Sequence, residues 1–226
     1  MAHFELDGVA IDIPEAMLDQ VLRRALERGT YEHAEARAVA LHLAPGDRVL
    51  ELGAGAGFLS VQIARRVGAA NLLAVEAHPG MAAVARANLA RNGCEGTEVL
   101  EGAAVPDSYA AATIVFHPAS AFWASSLIPP TPDAAVAGVP VPALPFGALL
   151  ERHRADVAII DIEGGEEFLF DAPWPRCPRL AIVEIHPRRY PSSSVQRIFD
   201  AASAMGLAYC AEGSRGTVVV FQRVDE

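Results

Sequence analysis

The chain has 226 residues, a net charge of −10, and a composition that is 52% hydrophobic and 20% charged. These values suit one full-sized core and exclude a disordered or fibrous chain. The acidic balance, with no lysine and only short arginine pairs, argues against a nucleic-acid partner, because phosphate binding needs a basic face.

No apolar run approaches the roughly 18 residues of a membrane span. The opening MAHFELDGVAIDIPEAM carries acids from Glu5 onward and no basic region ahead of an apolar stretch. It does not read as a signal peptide, and the expected location is cytoplasmic. Cys94, Cys177 and Cys210 are far apart and odd in number, as expected of small packed thiols rather than a disulfide framework.

Residues 1–44 are expected to form an N-terminal helical segment. Pro14 suits a first helical turn, and Met17, Leu18, Val21, Leu22 and Leu26 recur at helical spacing. Gly29-Thr30 interrupts the pattern, a second helix runs from about Glu32 to Leu43, and Pro45-Gly46 turns into the first strand. Strands and helices then alternate. Strands are expected at 49–52, 72–76, 97–100, 156–161 and 180–185, and helices at 57–67, 79–92 and 192–205. Two closing strands, 207–211 and 217–222, flank a turn. Wholly apolar strands alternating with helices mean a parallel sheet buried on both faces. Residues 106–150 break the rhythm with many prolines, little charge and one extra strand at 113–117. They read as an insertion and a candidate acceptor-site lid within a single domain spanning 1–226.

The strongest motif is RVLELGAGAGFLS, residues 48–60. An apolar strand ends in Glu51, and Gly53, Gly55 and Gly57 follow before a helix. Such glycines allow a tight turn and let a ligand lie against bare backbone. The third glycine of a dinucleotide fingerprint is replaced by Phe58. A carboxylate at Glu51 would repel a pyrophosphate but suits the α-ammonium of a methionine moiety, which favours S-adenosylmethionine over NAD. Glu76, at the tip of the second strand, is placed to accept from both ribose hydroxyls. The cofactor set is completed by Ala54, by Ala77 and by Ala103, the last in a small-residue stretch with room for a flat adenine.

The other half of the site is read from DIEGGEE, residues 161–167, and EIHP, residues 184–187. Asp161, Glu163, Glu184 and His186 gather at two strand ends, where open α/β sheets bind ligands. Alignment is most of what methyl transfer requires of a protein. A hydroxyl acceptor also needs its proton removed, and His186 is the first candidate base, with Asp161 and Glu163 beside it. A divalent cation on Asp161, Glu163 and Glu184 is the less favoured alternative.

The stretches YEHAEARAVALHLAPGDRVLELGAGAGFLS, AVEAHPGMAAVARANLARNG, DVAIIDIEGGEEFLF and AIVEIHP together resemble the FkbM-type methyltransferases, over roughly residues 30–190. The resemblance implies a Rossmann-like α/β fold of class I methyltransferases, with a seven-stranded, mostly parallel sheet, an antiparallel last strand and helices on both faces. It also implies S-adenosylmethionine as cofactor and O-methylation of a sugar or natural-product hydroxyl. Glu51, Gly53, Gly55 and Glu76 carry over to the cofactor, and Asp161 and Glu163 to the family's acids. The chain departs in its first loop, Glu51-Leu52-Gly53-Ala54-Gly55 where the family commonly has Asp-x-Gly-Ala-Asn, and in Ile159 where a lysine is frequent. The expected partner is a small-molecule acceptor, with no nucleic acid and no membrane, and a homo-oligomer is compatible with the sequence. The alternatives are a non-catalytic cofactor-binding protein of the same fold and, further off, an NAD-dependent oxidoreductase.

Overall fold

The computed structural model describes residues 1–117 and 138–224. Residues 1–44 are not helical throughout, contrary to the sequence reading. β1 (Ala2–Leu6) and β2 (Val9–Ile13) form an antiparallel hairpin around Asp7-Gly8. Both turn residues have positive φ, 46° and 72°, the twist that a two-residue hairpin needs and that Asp-Gly supplies. Val9, Ile11 and Ile13 alternate into the core. Helix is confined to α1 (Gln20–Glu27) and α2 (His33–His42). The carboxylate of Asp19 caps α1 by accepting the Leu22 N–H at 2.7 Å.

From residue 49 onward the expected alternation appears. The elements are β3 (Val49–Leu52), α3 (Phe58–Val67), β4 (Leu72–Glu76), α4 (Pro79–Arg91), β5 (Glu98–Glu101) and β6 (Ala103–Val105). After β7 (Thr113–Phe116) and β8 (Val139–Pro145) come α5 (Phe146–His153), β9 (Val157–Ile160), α6 (Glu166–Leu169) and β10 (Leu180–Glu184). The described chain closes with α7 (Ser192–Ala204), β11 (Leu207–Arg215) and β12 (Val218–Arg223). Seven strands form one sheet in the order β11-β12-β10-β9-β3-β4-β5. Neighbours from β10 to β5 pair in parallel, and β12 runs antiparallel between β10 and β11.

Strand alternation splits the core in two. Val49, Ala74, Val157, Ile159 and Ile182 face one way, with the hairpin and helices α1 to α4. Leu50, Leu52, Val75, Ile160 and Val183 face the other, with Phe146, Leu150 and Ile198 of α5 and α7. Residues buried on both sides of a strand explain the unbroken apolar runs.

The 106–150 stretch carries more regular structure than its prolines suggest. β6, β8 and β7 form a small sheet, and residues 146–153 form α5, which packs under the main sheet. Pro140 and Pro142 stand two apart in β8, so the donors they lack fall on the same side of the strand. Residues on the other side keep theirs, and Ala143 N–H donates to Ala112 O at 2.9 Å. Residues 118–137 of the expected lid lie outside the described residues.

Asn88 of α4 fastens the hairpin to the glycine loop. Its Oδ1 accepts Asp12 N–H at 2.9 Å, and its Nδ2 donates to Asp12 O at 3.0 Å and to Ala56 O at 2.8 Å. The side chain is buried. Asn88→Ala should cost about 3 kcal/mol in urea denaturation, because buried partners are left unpaired. A loss below about 1 kcal/mol would mean that apolar packing alone holds the hairpin.

Candidate functional site

Parallel register sets the acids in rows. Glu51 shares its row with Ala74, Ile159 and Ile182, all buried. Two residues further along, and so on the same face, Gly53, Glu76, Asp161 and Glu184 stand together at the strand ends. By strand alternation the side chains in these positions face the α2 side of the sheet. A cleft of about 720 Å³ opens there, bounded by α1, α2, the strand ends and the β6–β7 segment.

The glycine loop forms one wall. A Cβ on Gly53 would come 1.7 Å from the Asp161 carbonyl oxygen, and Gly53 has φ +90°. No side chain can stand there. Glu76 braces the loop: Oε2 accepts the Gly55 N–H and Oε1 the His78 N–H, each at 2.7 Å. Burial raises its carboxyl above the ordinary range, against the pull of the backbone N–H groups of His78, Gly55 and Ala77. Beyond it, Ala77 packs with Ala103, Phe116 and Val141 in a small apolar cluster at the cleft. Ala77, Ala103 and Phe116 line the cleft there.

Glu51 lies beneath this wall, not on it. Its Oε2 accepts the Ser60 Oγ–H at 2.5 Å, while Oε1 is buried without a hydrogen-bond partner. Burial pushes its carboxyl up to about 8, helped by the charge of Glu76 and opposed by Ser60. Glu51 does not line the cleft, and its carboxyl keeps its proton at neutral pH, so it presents no carboxylate to a ligand ammonium there, contrary to the sequence reading. Ala54 and Phe58 are also buried, and Phe58 packs against Tyr31 with centroids 6.0 Å apart.

The opposite wall is an acid–histidine cluster. His186 Nδ1 lies 2.9 Å from Glu166 Oε1, an oxygen that also accepts the His186 backbone N–H at 3.0 Å and the Tyr190 O–H at 2.7 Å. Glu166 is fully buried, and its Oε2 accepts the Gly164 N–H at 2.8 Å. The free face of the ring, Nε2, looks towards Glu163 Oε2 at 3.5 Å and Asp161 Oδ1 at 3.7 Å. Burial disfavours the imidazolium, but hydrogen bonds to Glu163 and Glu166 and the charges of Glu166 and Asp161 outweigh it, lifting His186 to about 11. The ring is therefore charged at neutral pH. Burial also opposes ionisation of Glu166, yet His186 and Tyr190 hold it below the usual carboxylate range. Asp161 moves the other way. Burial and the charge of Glu184 raise it well above the ordinary range, with His186 opposing, and its Oδ1 has no hydrogen-bond partner.

Two acids complete the rim. Thr217 Oγ1 donates to Glu184 Oε1 at 2.8 Å. Glu35 of α2 faces Glu184 across the cleft, and burial together with the Glu184 charge pushes its carboxyl up to about 7.

Residues 49–127 match a family described as a methyltransferase domain. Over 62 residues the chain is 50% identical to the protein-L-isoaspartate O-methyltransferase of Methanoregula boonei, covering 27% of this chain and 28% of that one. The chain thus aligns with little more than a quarter of the curated relative's length. A solved methyltransferase from Geobacter sulfurreducens superposes with a TM-score of 0.51 at 16% identity, over 94% of this chain and 93% of that one. The O-methyltransferase from Bacillus cereus, solved with SAH, gives 0.50 at 14% identity, over 93% and 92%. The fold is that of the Rossmann-like methyltransferases. The matched residues include the glycine loop, Glu76 and Ala103. Asp161, Glu163 and His186 lie beyond them.

The cleft gathers Gly53, Gly55, Glu76, Ala77, Ala103, Asp161, Glu163, Glu184 and His186 from the sequence reading, and leaves Glu51, Ala54 and Phe58 packed beneath it. Sequence reasoning missed Glu35, Glu166 and Tyr190. The second acid of the Gly-Gly-Glu-Glu run and the tyrosine four residues after His186 were the available signals.

The buried Glu51 carboxyl gives a pH signature. Below about 4.5 both folded and unfolded chains keep its proton, whereas between 4.5 and about 8 only the folded chain does, so its contribution to stability is lost as pH rises through that window. Wild-type stability should fall relative to Glu51→Gln across this window, by on the order of 1 kcal/mol per pH unit. Urea denaturation of both proteins at several pH values checks this. Parallel stability curves would contradict a buried, proton-retaining Glu51.

Proposed function

We propose that the chain is an S-adenosylmethionine-dependent methyltransferase acting as one domain, and that its acceptor is a hydroxyl on a small molecule, a sugar or a natural product. The observation that carries this reading is a single cleft with two chemically distinct walls. One is bare backbone braced by Glu76; the other is the Asp161–Glu163–His186 cluster.

Bound in this cleft, S-adenosylmethionine supplies a methyl group already activated by its sulfonium. The residues present suit it. Glu76 has lone pairs left for ribose hydroxyls, the small side chains of Ala77 and Ala103 suit a flat ring, and the carboxylates favour a ligand carrying ammonium and sulfonium charges. What remains for the chain is to hold an acceptor in line and receive its proton. With the cofactor bound, its sulfonium would supply the methyl group to the acceptor oxygen, and the acid cluster would take up the hydroxyl proton. His186, the first candidate base, is already protonated at neutral pH. Its part is to orient and neutralise the two carboxylates that face it, and the proton goes to the carboxylate side.

An oxygen acceptor is supported by the FkbM-type resemblance of the DIEGGEE and EIHP stretches, and by the O-methyltransferase names among the relatives. A small acceptor agrees with the acidic rim and the net charge of −10. Among the described residues no helix is long and apolar enough to cross a membrane.

Calorimetry should show micromolar binding of S-adenosylmethionine and of its demethylated product. Glu76→Ala should weaken it by about 2 kcal/mol, roughly thirtyfold. Asp161→Asn should leave cofactor affinity within about twofold while lowering label transfer to hydroxylated acceptors by about 10²-fold or more. Absence of both heat and thermal shift with either ligand would overturn the reading. Tight cofactor binding with no transfer to any acceptor would favour a non-catalytic binding protein.

A further inference from the structure

The geometry of the acid–histidine cluster points to a divalent-cation site: we propose that Asp161, Glu163 and His186 bind one first-row transition-metal ion, with Glu166 and Tyr190 orienting the histidine. This rests on the methyltransferase reading for its role, though not for its existence.

Three observations carry it. First, one donor atom from each of Asp161, Glu163 and His186 lies within 4.8 Å of the others. Nε2 of His186 stands 3.5 Å from Glu163 Oε2 and 3.7 Å from Asp161 Oδ1. An ion with bonds of about 2.1 Å and tetrahedral geometry holds its donors about 3.4 Å apart. The two separations from Nε2 are within a few tenths of an ångström of that spacing, and the two carboxylate oxygens lie within 4.8 Å of each other.

Second, the histidine is held as a metal ligand would be. Nδ1 is tied to a fully buried carboxylate at 2.9 Å, which fixes the ring and turns Nε2 towards the two acids. A metal-bound histidine almost always gives its second nitrogen to a carboxylate, carbonyl or water. Glu166 is itself pinned by Tyr190 O–H and Gly164 N–H, so the ring plane is set before any ion arrives; on binding, the ion displaces the Nε2 proton to solvent and takes over its role as counter-charge to the two acids.

Third, Asp161 Oδ1 is buried and has no hydrogen-bond partner, although it lies on the side of the ring where the ion would sit. A buried carboxylate oxygen left bare costs free energy that a ligand recovers. Glu163 comes to this place through a strained backbone, with φ +53°, a conformation that in a non-glycine residue points to a site-specific demand.

One imidazole with two carboxylates suits Mn²⁺, Fe²⁺ or Zn²⁺ better than Ca²⁺, which prefers an all-oxygen shell. Three protein donors leave positions open on the cleft side, where the acceptor oxygen completes the shell. Glu184 is not among the donors: its Oε1 is taken by Thr217, and it faces Glu35. The ligand set thus differs from the one suggested by spacing along the chain.

The test is a Mn²⁺ titration of the full chain without cofactor or acceptor, following free Mn²⁺ by electron paramagnetic resonance, with Zn²⁺ as competitor. One saturable site per chain is expected, with Kd below about 100 µM. Asp161→Asn and His186→Ala should each weaken it at least about tenfold, and Glu166→Gln, which keeps every donor, by about 10- to 100-fold. Circular dichroism confirms that each variant is folded. No saturable binding of either ion up to about 1 mM overturns the proposal, as does binding that these folded variants leave unchanged. Because no cofactor is present, this outcome is separable from failure of the methyltransferase reading, which cofactor calorimetry decides.

Discussion

The carbonyl oxygen of Asp161 occupies the place where a side chain at residue 53 would begin. That steric exclusion joins the two halves of the cleft. The exits of β3 and β9 meet through backbone, so the glycine turn and the strand end that carries the acid cluster cannot move independently. Adjacent parallel strands in register bring Glu76, Asp161 and Glu184 to the same height. Transfer chemistry asks for this arrangement, because a donor and an acceptor must lie a few ångströms apart and in line.

Gathering so many acids at one rim is electrostatically costly, and the structure shows how the cost is distributed. Glu35, Glu51, Glu76 and Asp161 are all raised by burial. Glu166 alone among the shifted carboxyls is lowered, and it is the one bonded to His186 and Tyr190. The imidazolium therefore serves as the counter-charge for one half of the cleft, and Arg189 lies 3.6 Å from Glu163 on its outer side. The other half is left with the carboxyls of Glu76, Glu184 and Glu35 along the cleft. A site with that balance favours cations, whether a sulfonium, an ammonium or a metal ion.

The resemblance and the physical reading meet at different points. The glycine loop belongs to the methyltransferase-domain match, whereas the cluster that separates this chain from a generic cofactor-binding fold lies beyond residue 127. Identity of cofactor and nature of acceptor thus rest on separate parts of the chain.

Apolar runs broken at regular intervals determined, from sequence alone, the parallel sheet and its helices, because burial on both faces leaves a strand no polar position; the antiparallel last strand was implied by the family resemblance. The glycine turn after the first core strand, with Gly53 and Glu76 beside the cleft, was likewise legible as a place of close backbone approach. The Asp7-Gly8 hairpin was also legible in principle, as Asp-Gly flanked by alternating Val9, Ile11 and Ile13, but the longer helical pattern after Pro14 obscured it. Tertiary structure alone decided the depth of Glu51, which follows from its register with Ala74 and Ile159. It also decided the charge of His186, because a pKa depends on neighbours distant in the chain: Glu166 lies 20 residues before His186 and touches both its ring and its backbone. Spacing along a chain records which side chains leave a strand end together; which of them meet depends on packing between elements.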